Sequence, residues 1–341
     1  MSPTRQTRFY QRLCTSPVLF ALLLQAQQSD AATCTLQQVG DLPEQVNLLA
    51  SPDRRSVMFV TRLRREVDGA PNAYSPSGGD YVDSVCTNTT VALDHICNGV
   101  TVRDASGAIV PPSEILPTET RPSSRRCLAT FREAQSANYP ECGRHLACVV
   151  SWPGIVREQR TAPAGYQIKV PSIRGSGPYA GYYISKTTLG RPDTQTAGGE
   201  EYLDARRIPY VVVPGASALT ASAWGFGSTT RPDLALVVAR RDDNVFRAVF
   251  AIVGGTGPAG ETGEVSAAVL SLLRGEPLTN ERPTPEEIPG SGFQDRATII
   301  LFPHGAASPN VGGWPGAPIS GGDIHVAGQL ALQRAGGTRA L

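Results

Sequence analysis

Acidic residues surround a glycine-rich turn in the C-terminal half of the chain. Residues 254–263 read GGTGPAGETG, Glu264 follows at once, and Glu261 lies three residues before it. A second pair of carboxylates, Glu66 and Asp68, stands in the segment RREVDG. A positioned carboxyl group can give or take a proton during a reaction, so these residues are the first candidates for general acid and base chemistry.

Glu264 is expected where a strand, a glycine loop and a helix meet. Two apolar runs on either side of the polar segment 240–244 predict a β-hairpin, because Asp and Asn favour tight turns. Apolar residues at helical spacing then predict a helix that starts near residues 263–264 and ends at Gly275. The free amides of a helix N-terminus favour an ionised carboxylate. The sequence therefore predicts a lowered pKa for Glu264, which suits a general base.

Several further elements follow from the hydrophobic pattern. Residues i and i+2 of an extended segment point to the same face, which would let Glu66 and Asp68 share one cleft wall. The interpretation favoured for an arbitrary protein is a strand end followed by an Asp–Gly turn. Short strands and few helices favour a mainly β fold with a β-barrel core over a wound α/β sheet. The other predicted elements are strands over 55–63, 175–188, 208–215 and 297–303, and a helix over 324–334.

Composition limits the classes of protein to which the chain can belong. A chain of 341 residues with 40% hydrophobic content can bury a sizeable core. Its 35 glycines and 28 prolines favour a loop-rich β fold. The formal net charge is +1, and the arginines are scattered among similar numbers of acids. No nucleic-acid partner is therefore expected.

The N-terminus has the pattern of a secretory signal peptide over residues 1–31. Basic residues precede an apolar run, residues 17–26, which is too short to span a bilayer and ends before small residues suited to cleavage. The alternative is an amphipathic helix kept in the mature protein. Six of the seven cysteines lie beyond this leader and none lies after Cys148. We therefore expect a secreted or periplasmic protein without a membrane span in its mature form, with disulfides tying a loop-rich N-terminal part.

Other chemistries fit the sequence poorly. Residues 255–260 match G-x-G-x-x-G, but Pro258 removes an amide and no second strand ending in an acidic residue follows, so a dinucleotide site is not expected. The chain lacks a phosphate-binding Gly-Lys-Ser/Thr loop and a G-x-S-x-G elbow. The spacing of cysteine and histidine matches no zinc site. We expect no cofactor and no metal.

Four segments carry a resemblance to a known family. They appear in the family's order and, with shorter matches near the C-terminus, cover most of residues 55–337. Together they resemble glycoside hydrolase family 75, the fungal chitosanase family, and especially its secreted bacterial relatives. The segments are EVDGAPNAYSP (66–76), GYYISKTTL (181–189), EYLDARRIPYVVVPG (201–215) and the stretch 233–270.

The resemblance implies an activity and a set of site residues. Family members are endo-acting, inverting hydrolases of chitosan, the β-1,4-linked glucosamine polymer, and the implied core is a small β-barrel, with the double-psi barrel as a specific form. The family's loop carries an aspartate before the glutamate of G-E, and these two form the catalytic pair. This chain matches the glutamate with Glu264 and has Gly255 at the aspartate position. The resulting candidates are Glu264 and Asp68 for catalysis, and Glu66, Glu261 and Tyr74 for substrate binding.

The sequence therefore predicts a leader over 1–31, a flank over 32–54, and a chitosanase-like domain over 55–337 with a cysteine-rich insertion around 86–160. The expected function is hydrolysis of chitosan by two carboxylates, impaired by the loss of one. The alternative is a non-catalytic carbohydrate-binding or cell-surface protein that kept the fold. In both cases the expected partner is a polysaccharide and the expected state is a monomer.

Overall fold

The structure of the protein is a computed structural model. In it the chain divides into two compact units. The first, the sheet unit, comprises residues 1–66 and 205–341, and the second, the inserted unit, comprises residues 67–204. The predicted leader and all seven cysteines lie outside the described residues, and the domain boundaries stay predictions. The described residues are 36–71, 73, 102–103, 109–110, 154, 156–161, 167–190, 202–221, 224–227, 232–241, 244–257, 259–275, 296–303, 311 and 319–334.

The sheet unit is built on one nine-stranded sheet. Two of its strands come from the segment predicted as a flank, and a 3-10 turn, Pro43–Gln45, joins them. The strands are β1 (Gln37–Leu42), β2 (Val46–Ala50), β3 (Val57–Thr61), β4 (Arg64–Glu66), β9 (Tyr210–Pro214), β10 (Leu234–Arg240), β11 (Phe246–Gly257), β12 (Glu264–Ser266) and β13 (Ala297–Phe302).

The order of the strands across the sheet is β1-β2-β3-β13-β10-β11-β9-β12-β4. Most neighbours are antiparallel, but β11 runs parallel to β9, and β12 runs parallel to β4. The mainly β fold is confirmed. Among the described residues β1 and β4 remain the two edges of this sheet, so it is not closed and a complete barrel is not shown.

The predicted central hairpin is confirmed. β10 pairs with β11 in antiparallel register from Leu234 opposite Ile252 to Arg240 opposite Phe246. Asn244 in the connection has a φ of 63°, a conformation that asparagine tolerates better than most residues. The strands predicted over 55–63, 208–215 and 297–303 are also present, as β3, β9 and β13. Strands that lie centrally in the sheet carry the strongest local signals.

The core lies against the middle of the sheet. All five residues of β9 are buried, and β10 and β13 are nearly continuous apolar runs. Two helices occur in the described part of the chain, α1 (Ala267–Arg274) and α2 (Gly321–Arg334). Gly328 of α2 packs so closely on the ring of Phe250 that a β-carbon there would overlap it. Neither helix has the length and apolar character needed to cross a bilayer.

The helix after the glycine loop starts three residues later than the sequence predicts. Ser266 caps its N-terminus by accepting a hydrogen bond from the backbone N of Val269 at 3.4 Å. The Ser266 hydroxyl also donates to the carbonyl of Ile208 at 2.9 Å and accepts from the amide of Tyr210 at 3.0 Å. These bonds tie residues 264–266 into the sheet as β12, so Glu264 belongs to a strand. The predicted end at Gly275 is confirmed by its φ of 74°.

The inserted unit contains short pairs of strands. The strand predicted over 175–188 is wrong: Gly177 and Gly181 have positive φ, and the described residues of this segment form isolated bridges, one of them from Tyr183 to Ile173, instead of a continuous strand. Gly69 also has a positive φ, 82°, so Asp68 and Gly69 form a turn. The strands are β5 (Val102–Arg103) paired with β6 (Ile109–Val110), and β7 (Arg157–Thr161) paired with β8 (Gln167–Pro171).

Gly263 permits a close approach between two segments of the sheet unit. Its φ is 85°, and a β-carbon would overlap the carbonyl oxygen of Arg62. We expect Gly263→Ala to lower the free energy of unfolding by about 3 kcal/mol or more, because left-handed strain alone costs roughly 1–3 kcal/mol and the clash adds to it. Chemical denaturation measures the change. Gly260→Ala in the same loop is the matched control, since a β-carbon at that position would meet no other atom within 4 Å; equal effects would contradict the steric explanation.

Candidate functional site

Glu264 is the first residue of β12 and lies between β9 and β4. In the parallel ladder with β4, Glu264 is opposite Arg64 and Ser266 is opposite Glu66. Register partners and residues two apart along a strand point to the same face, so Glu264, Arg64 and Glu66 share one face of the sheet. Val265 points to the other face and is fully buried in the core. In this short strand Val265 therefore belongs to the core and Glu264 to the candidate site.

The second glycine of the GTG sequence makes room for the Glu264 carboxyl. A β-carbon at Gly257 would overlap Glu264 Oε2 and would lie 2.9 Å from a methyl of Val212. Gly257 ends β11, so the carboxyl sits against the backbone of a neighbouring part of the sheet. The glycine pattern that resembles a dinucleotide motif thus serves, at this position, to accommodate a carboxyl group.

Arg64 lies among the acidic side chains around Glu264. Arg64 binds Glu44 through Nη2 and binds Glu261 through Nη1, the latter at 2.6 Å. These pairs are about two-fifths exposed, so each contributes little to stability by itself. Among the described residues, no side-chain hydrogen bond or ion pair reaches the carboxyl of Glu264. The arginine is therefore engaged by other acids.

A hydrogen-bonded chain connects this cluster to the sheet. Glu44 Oε2 accepts bonds from the Thr262 hydroxyl at 2.8 Å and from the Thr262 amide at 3.2 Å. The Thr262 and Thr61 hydroxyls are 2.7 Å apart in a buried contact. The amide of Arg64 donates to the carbonyl of Gly263 at 2.8 Å. Residues 261–264 are therefore fixed to the end of β3 and the start of β4.

The pKa of Glu264 is shifted opposite to the sequence prediction. Burial, followed by the nearby charges of Glu66 and Glu261, raises it from the ordinary value of 4.5 to about 8, while Arg64 acts in the other direction. The prediction of a lowered pKa assumed that Glu264 stands at a helix N-terminus. Ser266 occupies that place instead, so the amides of α1 do not serve Glu264. At neutral pH the group is predominantly a protonated acid.

The structure brings three of the predicted site residues into one cluster. Glu264, Glu66 and Glu261 interact electrostatically. The sequence missed Glu44, which lies in the predicted flank and carries no pattern that would single it out. Arg64 could have been found, because it stands two residues before Glu66 on an extended segment and so shares its face. Tyr74 lies outside the described residues.

Asp68 belongs to the inserted unit and not to a common strand with Glu66. Glu66 ends β4, whereas Asp68 lies in the turn with Gly69, so a strand end followed by an Asp–Gly turn is confirmed. The hydroxyl of Ser185 lies 3.3 Å from Asp68 Oδ1, donates toward the Gly154 carbonyl and accepts from the Gly69 amide. A β-carbon at Gly154 would overlap the Asp68 carboxylate. These contacts give Asp68 a role in fixing the turn.

Gly255 lies on the same face as Glu264, two strands away. It is opposite Val212 in the parallel pairing of β11 with β9. Val265 is opposite Val211 in the antiparallel pairing of β12 with β9, which places Glu264 opposite Val212. Gly255, Val212 and Glu264 therefore lie on one line across the sheet. The usual spacing of neighbouring strands then places the Cα atoms of Gly255 and Glu264 about 10 Å from each other.

Comparison with known proteins leaves the family open. No protein-family model and no curated protein matches the chain. In the part of the chain that the structure describes, no group of three or more His, Cys, Asp or Glu side chains is arranged to hold a metal ion. The resemblance to the chitosanase family, and the absence of metal and cofactor, stay predictions.

The raised pKa of Glu264 predicts a pH-dependent stability. Between 4.5 and about 8 the folded chain holds a proton that the unfolded chain releases, so the free energy of unfolding falls as pH rises through this window. Glu264→Gln keeps a neutral side chain at every pH. We expect it to match the parent at pH 5 and to be more stable at pH 9, on the order of 1–4 kcal/mol.

Thermal unfolding of both proteins across this range measures the difference. Asp41→Asn, at an exposed position of β1, is the control for removal of a carboxyl group as such. If the difference between Glu264→Gln and the parent stays constant from pH 5 to pH 9, the assignment of a buried acid is wrong.

Proposed function

We propose that the protein is a secreted hydrolase of chitosan in which Glu264 is the general acid. The observation that carries the proposal is a half-buried carboxyl group, protonated at neutral pH, among other carboxylates on one face of a sheet. Enzymes that cleave glycosidic bonds by inversion need such an acid to protonate the leaving oxygen. This assignment makes Glu264 the acid, where the sequence predicted a base.

Glu66 is the candidate base. The parallel register offsets it from Glu264 by two residues on the adjacent strand, so the two side chains leave the same face of neighbouring strands. Inverting enzymes keep their two carboxyls roughly 6.5–9.5 Å apart to leave room for a water. Glu66 would accept a proton from that water as it attacks the anomeric carbon. Glu264 would give its proton to the departing sugar oxygen, so the proton count balances.

Glu261 is better suited to binding than to proton transfer. Its carboxylate is paired with Arg64 and is half exposed. Among the described groups in contact or charge interaction at this cluster, three glutamates (Glu44, Glu66 and Glu261) face one arginine, Arg64, which favours a cationic substrate such as a polymer of glucosamine. Secretion, action as a monomer and a barrel-type core belong to the same proposal. Two contacts support a barrel-type core, because they join the end of β3 to the segment before β12. They are the contact of Thr61 with Thr262 and that of Arg62 with Gly263.

The alternative is a carbohydrate-binding protein that no longer catalyses hydrolysis. Gly255 is the observation that favours it, because the resembling family places one of its two catalytic carboxylates at this position. On the line through Val212, an aspartate at 255 would project onto the face that carries Glu264. In this alternative the chain binds chitosan and releases no reducing ends.

Release of reducing ends from chitosan by the purified mature protein tests the proposal. We expect Glu264→Gln and Glu66→Gln each to lower the rate by roughly 10²–10⁴-fold, because each removes a positioned proton-transfer group. Activity should fall as pH rises through about 8, where Glu264 loses its proton. Asp41→Asn should leave the rate unchanged.

Gly255→Asp separates the two functions. A parent protein that is folded and binds chitosan without turnover, and that gains activity from this substitution, would support the binding protein and contradict the proposed enzyme. Gly260→Asp, in the open part of the same loop, controls for added negative charge. An active parent whose rate is insensitive to Glu264→Gln would also contradict the proposal.

A further inference from the structure

Glu44 has a backbone conformation that calls for an explanation. Its φ is 60°, and that of the next residue, Gln45, is 58°, so two consecutive residues other than glycine lie in the left-handed region. Such conformations are strained and persist where surrounding contacts hold them. The two residues form the turn between β1 and β2. The side chain of the first is the one that reaches the acidic cluster.

The contacts of Glu44 fix its carboxylate on two partners. One oxygen binds Arg64 Nη2, and the other accepts from both the hydroxyl and the amide of Thr262. Thr262 is in turn held by the buried hydroxyl of Thr61. The hydrogen bond from Thr262, with the charge of Arg64 as a further cause, holds the pKa of Glu44 below its ordinary value. Glu44 is therefore an anchored anion.

Arg64 is the cation closest in register to Glu264. Both terminal nitrogens of its guanidinium are engaged, Nη2 by Glu44 and Nη1 by Glu261. The other charged group that faces Glu264 from β4 is Glu66, and Glu261 faces it from the loop. The neighbouring strands β9 and β11 contribute Val212 and Gly257, which carry no charge. Whether Arg64 pairs with Glu264 thus depends on what else holds its guanidinium.

We propose that Glu44 is a positioning residue that holds the guanidinium of Arg64 and keeps it from forming an ion pair with the Glu264 carboxyl. An arginine paired with Glu264 would favour the carboxylate and remove the acid. Glu44 does not touch the reacting atoms and acts through Arg64. The inference rests on the proposed function only for its consequence in catalysis, since the contacts around Glu264 are independent of any substrate.

A double-mutant cycle on the titration of Glu264 tests the inference. The carboxyl carbon of Glu264 is followed by NMR in the full chain labelled at glutamate, and is assigned by its loss in Glu264→Gln. We expect Glu44→Gln to lower the midpoint by roughly one pH unit, as a freed Arg64 turns to Glu264. Arg64→Gln should raise the midpoint. In the Arg64→Gln background, Glu44→Gln should have no further effect.

Two controls keep the result interpretable. Asp53→Asn removes a carboxylate of an exposed ion pair with Arg55 and should leave the Glu264 midpoint unchanged. Glu261→Gln, which frees Nη1 of the same guanidinium, is the second variant if Glu44→Gln does not fold. Because it also removes a charge that raises the pKa of Glu264, it is made with and without Arg64→Gln, and the fall in midpoint should be smaller without Arg64.

Three outcomes would overturn the inference. The first is an unchanged midpoint in both Glu44→Gln and Glu261→Gln. The second is a fall of the Glu264 midpoint on Glu44→Gln that is equal with and without Arg64, which means that Glu44 acts by its charge alone. The third is a loss of stability in Glu44→Gln without a change in titration, which means a structural role. Absence of chitosan hydrolysis would contradict the proposed function, but it would not change the result expected from these titrations.

Discussion

The close passage of Gly263 against the carbonyl of Arg62 is the contact on which the rest of the site depends. Only a residue without a β-carbon fits there, and the backbone then runs on as β12 beside β4. The same approach brings Thr262 to Thr61 and sets Glu264 opposite Arg64. A local steric requirement of one glycine thereby fixes which charges become neighbours. The sheet provides the rigid frame, since Val265 anchors the short strand in the core.

Charge balance around Glu264 follows from that placement. Glu66 and Glu261 add negative charge near a carboxyl that is already half buried, and both effects favour its neutral form. Arg64 would oppose them, but its guanidinium is bound by Glu44 and Glu261. The cluster therefore favours the protonated form of Glu264. Glycosidases use a division of roles between two carboxyl groups, one raised in pKa and one kept ionised.

Local signals in the sequence predicted individual strands and helices, but they did not predict which distant strands pair. The β10–β11 hairpin and the end of α1 at Gly275 were predictable because turn residues and apolar spacing are local properties. The pairing of β4 with β12 joins residues about 200 positions apart, and three residues such as Glu264–Ser266 carry no strand signal. Missing that strand also reversed the predicted pKa of Glu264. The contact of Glu44 with Arg64 depends on an unusual backbone turn, and the residues of that turn carry no signal that predicts it.

The proposed chemistry depends on one protonation state more than on any family resemblance. Titration of the Glu264 carboxyl carbon in the unaltered protein, followed by NMR from pH 4 to pH 10, measures that state directly. The buried, negatively surrounded carboxyl predicts a midpoint near 8. A midpoint near the ordinary 4.5 would contradict it, because Glu264 would then be ionised at neutral pH and unable to serve as the acid.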